Sequence, residues 1–220
     1  MPATNGYGQY TVNGKSVNLR WLEAGVSEVT VRNIGDATVA TSGYYGVNGV
    51  LFDMNVSPYN VICYAMNNGA AVRNNGAHNG RNGCMVKLVN ALTDGTTFFV
   101  KRGNSSGSTT TFTTLPFTHN GYTVTASNVQ WALGGLSLSL SETMTESAFY
   151  ASLEQDLSNT SNRSRTAIGY KGGAKIILCT MLGANGGTGC NLWDVRCIMK
   201  DIHSCTMGLN LDGGGSTNIS

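Results

Sequence analysis

Short stretches of the chain alternate apolar with polar residues, and this period of two is typical of half-buried β-strands. The strand candidates are residues 10–12, 17–21, 26–32, 85–90, 96–100, 122–126, 129–140, 166–170, 176–181 and 207–212. Asn13 and Gly14 lie between the first two and form a dipeptide typical of a two-residue hairpin turn. We therefore predict that residues 1–42 form a β segment that packs on a main domain of residues 43–220.

Apolar residues recur at helical spacing in two segments, residues 145–157 and residues 191–205. Asn191 and Asp194 form an approximate capping pair, which indicates that the second helix begins there. The strand candidate at 176–181 is apolar throughout, so we expect it near the centre of a sheet. Together these elements predict an α+β fold, a single domain built on a β-rich mixed sheet with a few flanking helices.

Composition removes several classes of function. Only 12% of the residues are charged and 41% are hydrophobic, so Gly, Asn, Ser and Thr must supply the polar surface, as in β-rich folds with many turns. The formal net charge of +2, without a cluster of Lys or Arg, argues against a nucleic-acid polymer as partner. No apolar run approaches about 18 residues, and the first ten residues lack a signal pattern. We therefore expect no membrane insertion and a cytoplasmic or virion-associated location.

The six cysteines allow two interpretations. An even number suits a disulfide framework, but the chain is long for such a scaffold and shows no export signal. Cys190 and Cys197 would lie about 10 Å apart along the predicted second helix, which is too far for a disulfide. We favour mostly reduced, buried thiols. Because no CxxC pair is present, we expect no zinc site, and we assign no metal and no cofactor.

The stretch that ends the last predicted strand carries the most chemistry. Leu209 and Leu211 alternate with Asn210 and Asp212, and three glycines follow, so the carboxylate of Asp212 lies at a strand end. Residues 213–215 lack a Cβ and can turn their backbone N–H groups toward one oxyanion, and the Ser216 hydroxyl can add a donor. The alternative interpretation is a plain turn.

Two further residues have side chains suited to a phosphorylated ligand. Arg165 stands at the start of a predicted strand, after a polar loop, and its guanidinium can grip two phosphate oxygens at once. Its alternative role is a structural ion pair. Asn48 offers a donor and an acceptor for a sugar hydroxyl or a phosphate oxygen, and its alternative role is that of a simple Asn-Gly turn.

Four segments of the chain resemble the phosphodiester glycosidase family in the same order. The segments are NLDGGGS at residues 210–216, RTAIG at 165–169, GGLSL at 134–138 and GVNGVLFD at 46–53. The first two match the family's signature blocks. In the fourth, Val50 and Leu51 replace a Gly and a Phe of the family's GINGGFF motif. The resemblance spans residues 43–217.

This resemblance implies hydrolysis of a sugar 1-phosphodiester at the anomeric carbon, with a substrate like an N-acetylglucosamine 1-phosphodiester, either a small molecule or a glycan. The reaction needs positive charge on the phosphate and a carboxyl group near the anomeric carbon. We assign the first to Arg165 and residues 213–215, and the second to Asp212 as general base or nucleophile. Asn48, Thr166, Asn210 and Ser216 are assigned to hydroxyl or phosphate contacts.

The family usually continues through further strands beyond its NLDGGGS block, whereas this chain has four residues after Ser216. We expect the corresponding sheet position to be filled by residues 1–42 or by a second copy of the chain in a homo-oligomer.

Two rival functions remain open from the sequence. The first is a non-catalytic module that binds a phosphoglycan or nucleotide, for example on a phage or cell-surface particle. The second is a purely structural β-rich protein. Release of free sugar would separate an enzyme from a binding module.

Overall fold

The computed structural model describes residues 3–35, 37–53, 60–62, 65–72, 75–76, 83–89, 98–100, 117–119, 122–153, 160–184 and 187–220. Fifteen strands fall within these ranges. They are β1 (Thr4–Val12), β2 (Lys15–Gly25), β3 (Phe52–Asp53), β4 (Asn60–Ile62), β5 (Ala65–Asn67), β6 (Ala70–Ala71), β7 (Asn75–Gly76), β8 (Gly83–Leu88), β9 (Phe98–Val100), β10 (Phe117–His119), β11 (Tyr122–Val124), β12 (Val129–Ser137), β13 (Arg165–Gly172), β14 (Lys175–Gly183) and β15 (Met207–Asn210).

Two short α-helices accompany the strands in the described part of the chain, α1 (Glu146–Ser152) and α2 (Leu192–Cys197), and α2 continues into a π-helical turn, Ile198–Ile202. The Thr145 side chain accepts a hydrogen bond from the Ala148 N–H and so caps α1. Asn191 and Asp194 form the capping box that begins α2, as the sequence predicts. No helix in the described ranges is long and apolar enough to cross a membrane.

One large sheet organises the described chain. Its strand order is β1-β2-β14-β13-β15-β12-β5-β6, and β8 pairs with both β12 and β9. Every described pair in this sheet is antiparallel; the parallel pair, β4 with β7, belongs to a small sheet with β3. The α+β fold class is therefore confirmed, with a β-rich single domain and few helices.

The N-terminal segment forms a hairpin at one end of this sheet. Asn13 and Gly14 both have positive φ, so they form the tight turn that their dipeptide predicts. The second hairpin strand, β2, pairs with β14 over nine residues, and its backbone extends the sheet beyond β14. The predicted strand at residues 26–32 is wrong, because Val26–Glu28 forms a 3-10 turn in which the Glu28 carboxylate accepts a hydrogen bond from the Gly25 N–H.

Apolar side chains cover both faces of the sheet. On one face, α1 and α2 pack over a cluster that includes Phe149, Leu192, Val195, Met199 and Met181. A second cluster on the other face includes Met85, Trp131, Ile168, Ile176 and Leu209. Because successive residues of a strand point to opposite faces, the two clusters draw on alternate positions of β13, Ala167 for the first and Ile168 for the second.

The described cysteines are free thiols: Cys84, Cys179, Cys190 and Cys205 are buried and Cys197 is half-buried, while Cys63 lies outside the described residues. Burial raises the pKa of Cys190 to about 12 and that of Cys205 to about 12. A thiolate is the reactive form of cysteine, so burial favours the less reactive thiol form of Cys190 and Cys205.

Candidate active site

The glycine-rich segment after β15 continues along the start of β13. The Leu211 N–H donates to the Thr166 carbonyl at 2.8 Å, and the Gly214 N–H donates to the Ser164 carbonyl at 2.8 Å. Between them, the Asp212 N–H donates to the carbonyl of Gly49 at 3.0 Å. These bonds fix the backbone of Asp212 between the first residues of β13 and the loop at residues 46–51.

Steric limits explain why glycines occupy this turn. A Cβ on Gly213 would lie 2.8 Å from the Ser164 carbonyl oxygen, so only glycine allows the turn to approach β13 so closely. Gly214 has a φ of +65°, a conformation that favours glycine. Residues Gly214–Ser216 then form a 3-10 turn.

Asp212 carries the carboxyl group that the sequence predicts at the strand end. The side chain is half-buried, and one carboxylate oxygen accepts a hydrogen bond from the Gly213 N–H at 3.0 Å. Burial raises the pKa of Asp212 above its ordinary value, while hydrogen bonding from the Ser216 side chain and the Gly213 N–H partly opposes this rise. A carboxyl group with a pKa moved toward neutrality is suited to proton transfer.

Asn48 joins four separate segments of the chain. Its Nδ2 donates to the Asp212 carbonyl at 2.6 Å, and its Oδ1 accepts from the Thr166 hydroxyl at 2.7 Å and from the Asn218 N–H at 3.1 Å. The loop, β13, the turn and the final segment therefore meet at one amide. Asn48 holds the backbone that presents the Asp212 carboxyl, and this is a positioning role.

Arg165 is placed at the start of β13 but faces away from Asn48 and Thr166. Its Nε donates to the Cys190 carbonyl at 3.2 Å and its Nη2 to the Ser161 carbonyl at 2.7 Å. Only 5% of the residue is exposed, and burial lowers the pKa of Arg165 below its ordinary value. In this structure the guanidinium therefore braces the loops before β13 and α2. Its contact with a phosphate stays a prediction.

Asn210 pairs with Ala167 on β13, and paired residues share a face of the sheet. Residues two apart on a strand also share a face, so the Asn210 side chain lies on the same face as Arg165. The residue is 3% exposed, and its Nδ2 donates to the Leu211 carbonyl at 2.8 Å. Its Oδ1 is buried and has no hydrogen-bond partner among the residues that the structure describes. Such an acceptor is costly to leave unpaired and is suited to a hydroxyl donor rather than to a phosphate oxygen.

The backbone donors of residues 213–216 are mostly engaged within the protein. Gly213 donates to the Asp212 carboxylate, Gly214 to Ser164, and Ser216 to the Gly213 carbonyl at 3.3 Å. Within this turn, the Gly215 N–H is the one donor for which the structure shows no partner. The predicted cradle of three convergent N–H groups therefore has one open donor in this conformation, and its anion-binding role stays a prediction.

The structure thus brings Asn48, Thr166 and the backbone of Asp212 together at one turn, and the Asp212 carboxylate contacts Ser216 and Gly213 in that turn. The side chains of Arg165 and Asn210 share the other face of β13 and β15. Gly49, Ser164 and Asn218 were not among the predicted site residues, and they contribute backbone carbonyls or an N–H to this arrangement. Backbone groups carry no residue-type signal, so no motif search finds them.

Four glycines in the two segments that meet at Asp212 have free space where a side chain would be. A Cβ built on Gly46, Gly49, Gly214 or Gly215 would meet no atom within 4 Å. The loop that carries Gly46 and Gly49 and the turn that carries Gly214 and Gly215 therefore leave room for a ligand to approach their backbone closely. Among the residues that the structure describes, no group of three or more His, Cys, Asp or Glu side chains is placed to hold a metal ion.

The structure is a β-rich α+β protein with an Asp-bearing glycine turn that an asparagine braces. The family model described as phosphodiester glycosidase matches residues 44–220. The chain therefore belongs to the phosphodiester glycosidase family, and the resemblance read from its four motifs is confirmed.

Solved structures from distant organisms share the fold. The catalytic domain of zebrafish N-acetylglucosamine-1-phosphodiester alpha-N-acetylglucosaminidase, auto-inhibited by its pro-peptide, has a TM-score of 0.64 at 19% identity, over 98% of this chain and 72% of that one. A putative exported protein from Burkholderia pseudomallei has a TM-score of 0.60 at 12% identity, over 96% and 71% of the two chains.

A third similar structure, a hypothetical protein from Synechocystis, has a TM-score of 0.54 at 15% identity and covers 98% of this chain and 57% of that one. At these identities the similarity shows the fold. None of the curated proteins matches the chain in sequence.

Proposed function

We propose that this protein hydrolyses a sugar 1-phosphodiester at the anomeric carbon, releasing the free sugar and a phosphomonoester. A substrate of the N-acetylglucosamine 1-phosphodiester type agrees with family membership and with the name of the structurally similar zebrafish enzyme. The observation that carries the proposal is the Asp212 carboxyl, half-buried, raised in pKa and flanked by open glycine backbone.

In this proposal Asp212 acts at the anomeric carbon, where positive charge develops as the bond to the phosphate breaks. Its carboxylate either activates a water molecule or attacks as the nucleophile. The departing phosphate is already a good leaving group, so the reaction does not depend on a strong general acid. The contact of Asn210 with a sugar hydroxyl stays a prediction, because its Oδ1 is unpaired but only 3% of the residue is exposed.

Phosphate binding is assigned to the side of the turn that faces β13. The Gly215 N–H supplies an open donor, and the Arg165 side chain lies directly behind the turn, since a Cβ on Gly213 would be 3.8 Å from the Arg165 Cδ. A buried positive charge acts over a longer range than an exposed one because less water screens it. Arg165 therefore attracts the phosphate mainly through its charge while it keeps its carbonyl contacts.

The test is release of reducing sugar from a panel of sugar 1-phosphodiesters, with Asp212→Asn as the decisive variant. Asparagine keeps the backbone contacts of residue 212 with Gly49 and Asn48, so the variant should fold normally and lose at least about 1000-fold in kcat, the scale of a lost catalytic carboxylate. Asp201→Asn is the matched control, because Asp201 is exposed on the π-helical turn.

Full activity in a folded Asp212→Asn variant would remove Asp212 from the mechanism. Binding of the phosphodiesters without release of sugar from the unmodified protein would instead support the non-catalytic phosphoglycan- or nucleotide-binding module. An absence of both binding and turnover across the panel would leave the structural role.

A further inference from the structure

A concave site lies on the N-terminal hairpin. The cavity has a volume of about 400 Å³ and is lined by Asn5, Tyr7, Arg20 and Leu22 of the hairpin together with Ile219 and Ser220 of the final segment. Arg20 pairs with Thr180 on β14, and Thr180 pairs with Thr166 on β13. At about 4.8 Å per strand, Arg20 is roughly 10 Å from Thr166 across the sheet, so the Arg20 end of the cavity is two strands away from Thr166. The other end, at Ile219, adjoins the loop that carries Asn48.

The polar side chains of this cavity point to the same face of the hairpin. Asn5 pairs with Leu22 and Tyr7 pairs with Arg20 in the β1-β2 register, and directly paired residues of antiparallel strands share a face. Within the described part of the chain, no hydrogen bond or ion pair involves the side chains of Asn5, Tyr7 or Arg20. Three groups with hydrogen-bonding capacity therefore line one cavity without a partner among the described residues.

The same cavity has an apolar floor and a flat aromatic wall. Leu22 is buried, and Ile219 is half-buried where its backbone bridges to Val47. Tyr7 is 85% exposed, which is unusual for a large aromatic side chain and leaves its ring face open to a ligand. A volume of about 400 Å³ lies at the small end of ligand pockets, the size range of a single sugar ring with its substituents.

We propose that this cavity binds a pyranose that carries one negative charge, either a carboxylate or a phosphate. The apolar face of the sugar ring packs on Tyr7, the guanidinium of Arg20 forms paired hydrogen bonds with the anionic group, and Asn5 and Ser220 bind ring hydroxyls. Arg20 is the one basic residue among the described residues that line the cavity, so the site matches one charged substituent and not a polyanion.

The proposal requires only binding, so it does not depend on the proposed hydrolase activity. The experiment therefore uses the Asp212→Asn variant, in which ligand is not turned over. Isothermal titration calorimetry compares methyl glucuronide, glucose 6-phosphate and the neutral methyl glucoside. We expect both anionic sugars to bind about tenfold or more tightly than the neutral one, the scale of one charge-assisted hydrogen-bonded pair. The stronger of the two anionic ligands identifies the charged group.

Variants locate the binding within the protein. Added to Asp212→Asn, Arg20→Gln should lower the affinity for the anionic sugars to that of the neutral sugar, and Tyr7→Ala should weaken all three. Gln9→Ala, two residues along the same face of β1 and outside the cavity, and Arg32→Gln, an exposed arginine beside Tyr44, are matched controls that should bind like the parent.

Equal affinity for charged and neutral sugars, binding unaffected by Arg20→Gln, or no binding of any of the three ligands would each overturn the proposal. Tighter binding of a planar anion such as benzoate than of either anionic sugar would also overturn it, because the site would then select an aromatic ring. Loss of turnover in Asp212→Asn has no bearing on these outcomes, and so the two proposals fail independently.

Discussion

At the scale of single residues, the surroundings of one carboxyl group set its pKa, and we expect this pKa to control the activity of the site. Burial raises the pKa of Asp212, and the Ser216 side chain and the Gly213 N–H act against it. A general base or nucleophile must be ionised, so activity should fall as the pH drops through the pKa of Asp212. The acidic limb of the pH profile therefore reports this carboxyl group directly.

Ser216→Ala removes one of the two groups that lower the pKa of Asp212. We expect the acidic limb of kcat/KM to move to higher pH, while the activity at the plateau changes less. The measurement is the pH profile of sugar release by both proteins, with Thr217→Val as a control in the same turn. An unshifted limb would show that Ser216 does not tune Asp212, or that another group controls the profile.

Asn48 shows what one amide contributes when each of its polar atoms is engaged. Asn48→Ala leaves the Thr166 hydroxyl, the Asn218 N–H and the Asp212 carbonyl without their partner. We expect a loss of roughly 2–3 kcal/mol in the free energy of unfolding, since each hydrogen bond contributes about 1 kcal/mol. Urea unfolding measures this loss, and Asn18→Ala, at an exposed position on β2, serves as the control.

A loss in Asn48→Ala below about 0.5 kcal/mol, the range of ordinary surface substitutions, would contradict the positioning role of Asn48. A stable Asn48→Ala variant with greatly reduced turnover would assign Asn48 to the substrate instead.

The same residues show how far sequence reasoning reaches into the site. The motifs identify Asp212 and Asn48, because a carboxylate before three glycines and an amide in a glycine loop are visible as residue types. They do not show that Arg165 turns its guanidinium toward the Ser161 and Cys190 carbonyls. Those acceptors are backbone atoms brought together by tertiary structure, so they leave no pattern in the sequence.

At the scale of secondary-structure elements, Asp194 connects the N-terminal hairpin to the start of α2. The side chain is fully buried and accepts hydrogen bonds from Asn13 Nδ2 at 2.9 Å, from the Asn191 N–H at 2.9 Å and from Lys15 Nζ at 2.6 Å. One carboxylate therefore caps the helix and holds the turn of the hairpin against it.

Asp194→Ala should lower the free energy of unfolding by about 3 kcal/mol, because a buried, hydrogen-bonded ion pair is broken. Denaturant unfolding at pH 7 measures the change, and Asp201→Ala, at an exposed position of the following turn, should change stability by less than about 0.5 kcal/mol. If both substitutions have the same small effect, the ion pair does not hold the hairpin to the helix.

Elements with strong local signals were predicted well, and elements fixed by distant partners were not. The hairpin at Asn13 and Gly14 and the cap at Asn191 depend on neighbouring residues, so the sequence contains their cause. The second helix was predicted as residues 191–205, but it changes to a π-helical turn at Ile198–Ile202, where His203 donates its N–H to the Ile198 carbonyl. The spacing of apolar residues does not distinguish an α-helical turn from a π-helical one, so periodicity could not predict this change.

At the scale of the whole molecule, acid stability depends on a buried histidine. His203 packs edge-on against Trp21 with 5.2 Å between the ring centroids and lies 3.6 Å from the Cys179 Sγ through its Nε2. Burial, and secondarily the charge of Lys171, lowers the pKa of His203 to about 4, while Glu23 opposes the shift. The folded protein therefore holds this imidazole neutral under conditions where the unfolded chain is protonated.

His203 should therefore reduce stability as the pH falls from about 6.5 toward 4, since the unfolded state binds the proton first. In His203→Phe, which keeps an aromatic ring beside Trp21, the loss of unfolding free energy between pH 7 and pH 4.5 should be smaller by about 2–3 kcal/mol. Urea titrations at both pH values measure it. Equal losses in the two proteins would mean that other groups cause the acid sensitivity.

The order of strands in the large sheet has a consequence for synthesis on the ribosome. Within the described strands, β1, β2, β13 and β14 stand on one side of β15, and β12 with β5 and β8 stands on the other, so residues 207–210 join the two halves. Translation delivers β15 after every other described strand. Until residues 207–210 emerge, β13 and β12 lack the strand that joins them, and unpaired strand edges of this kind are prone to aggregation.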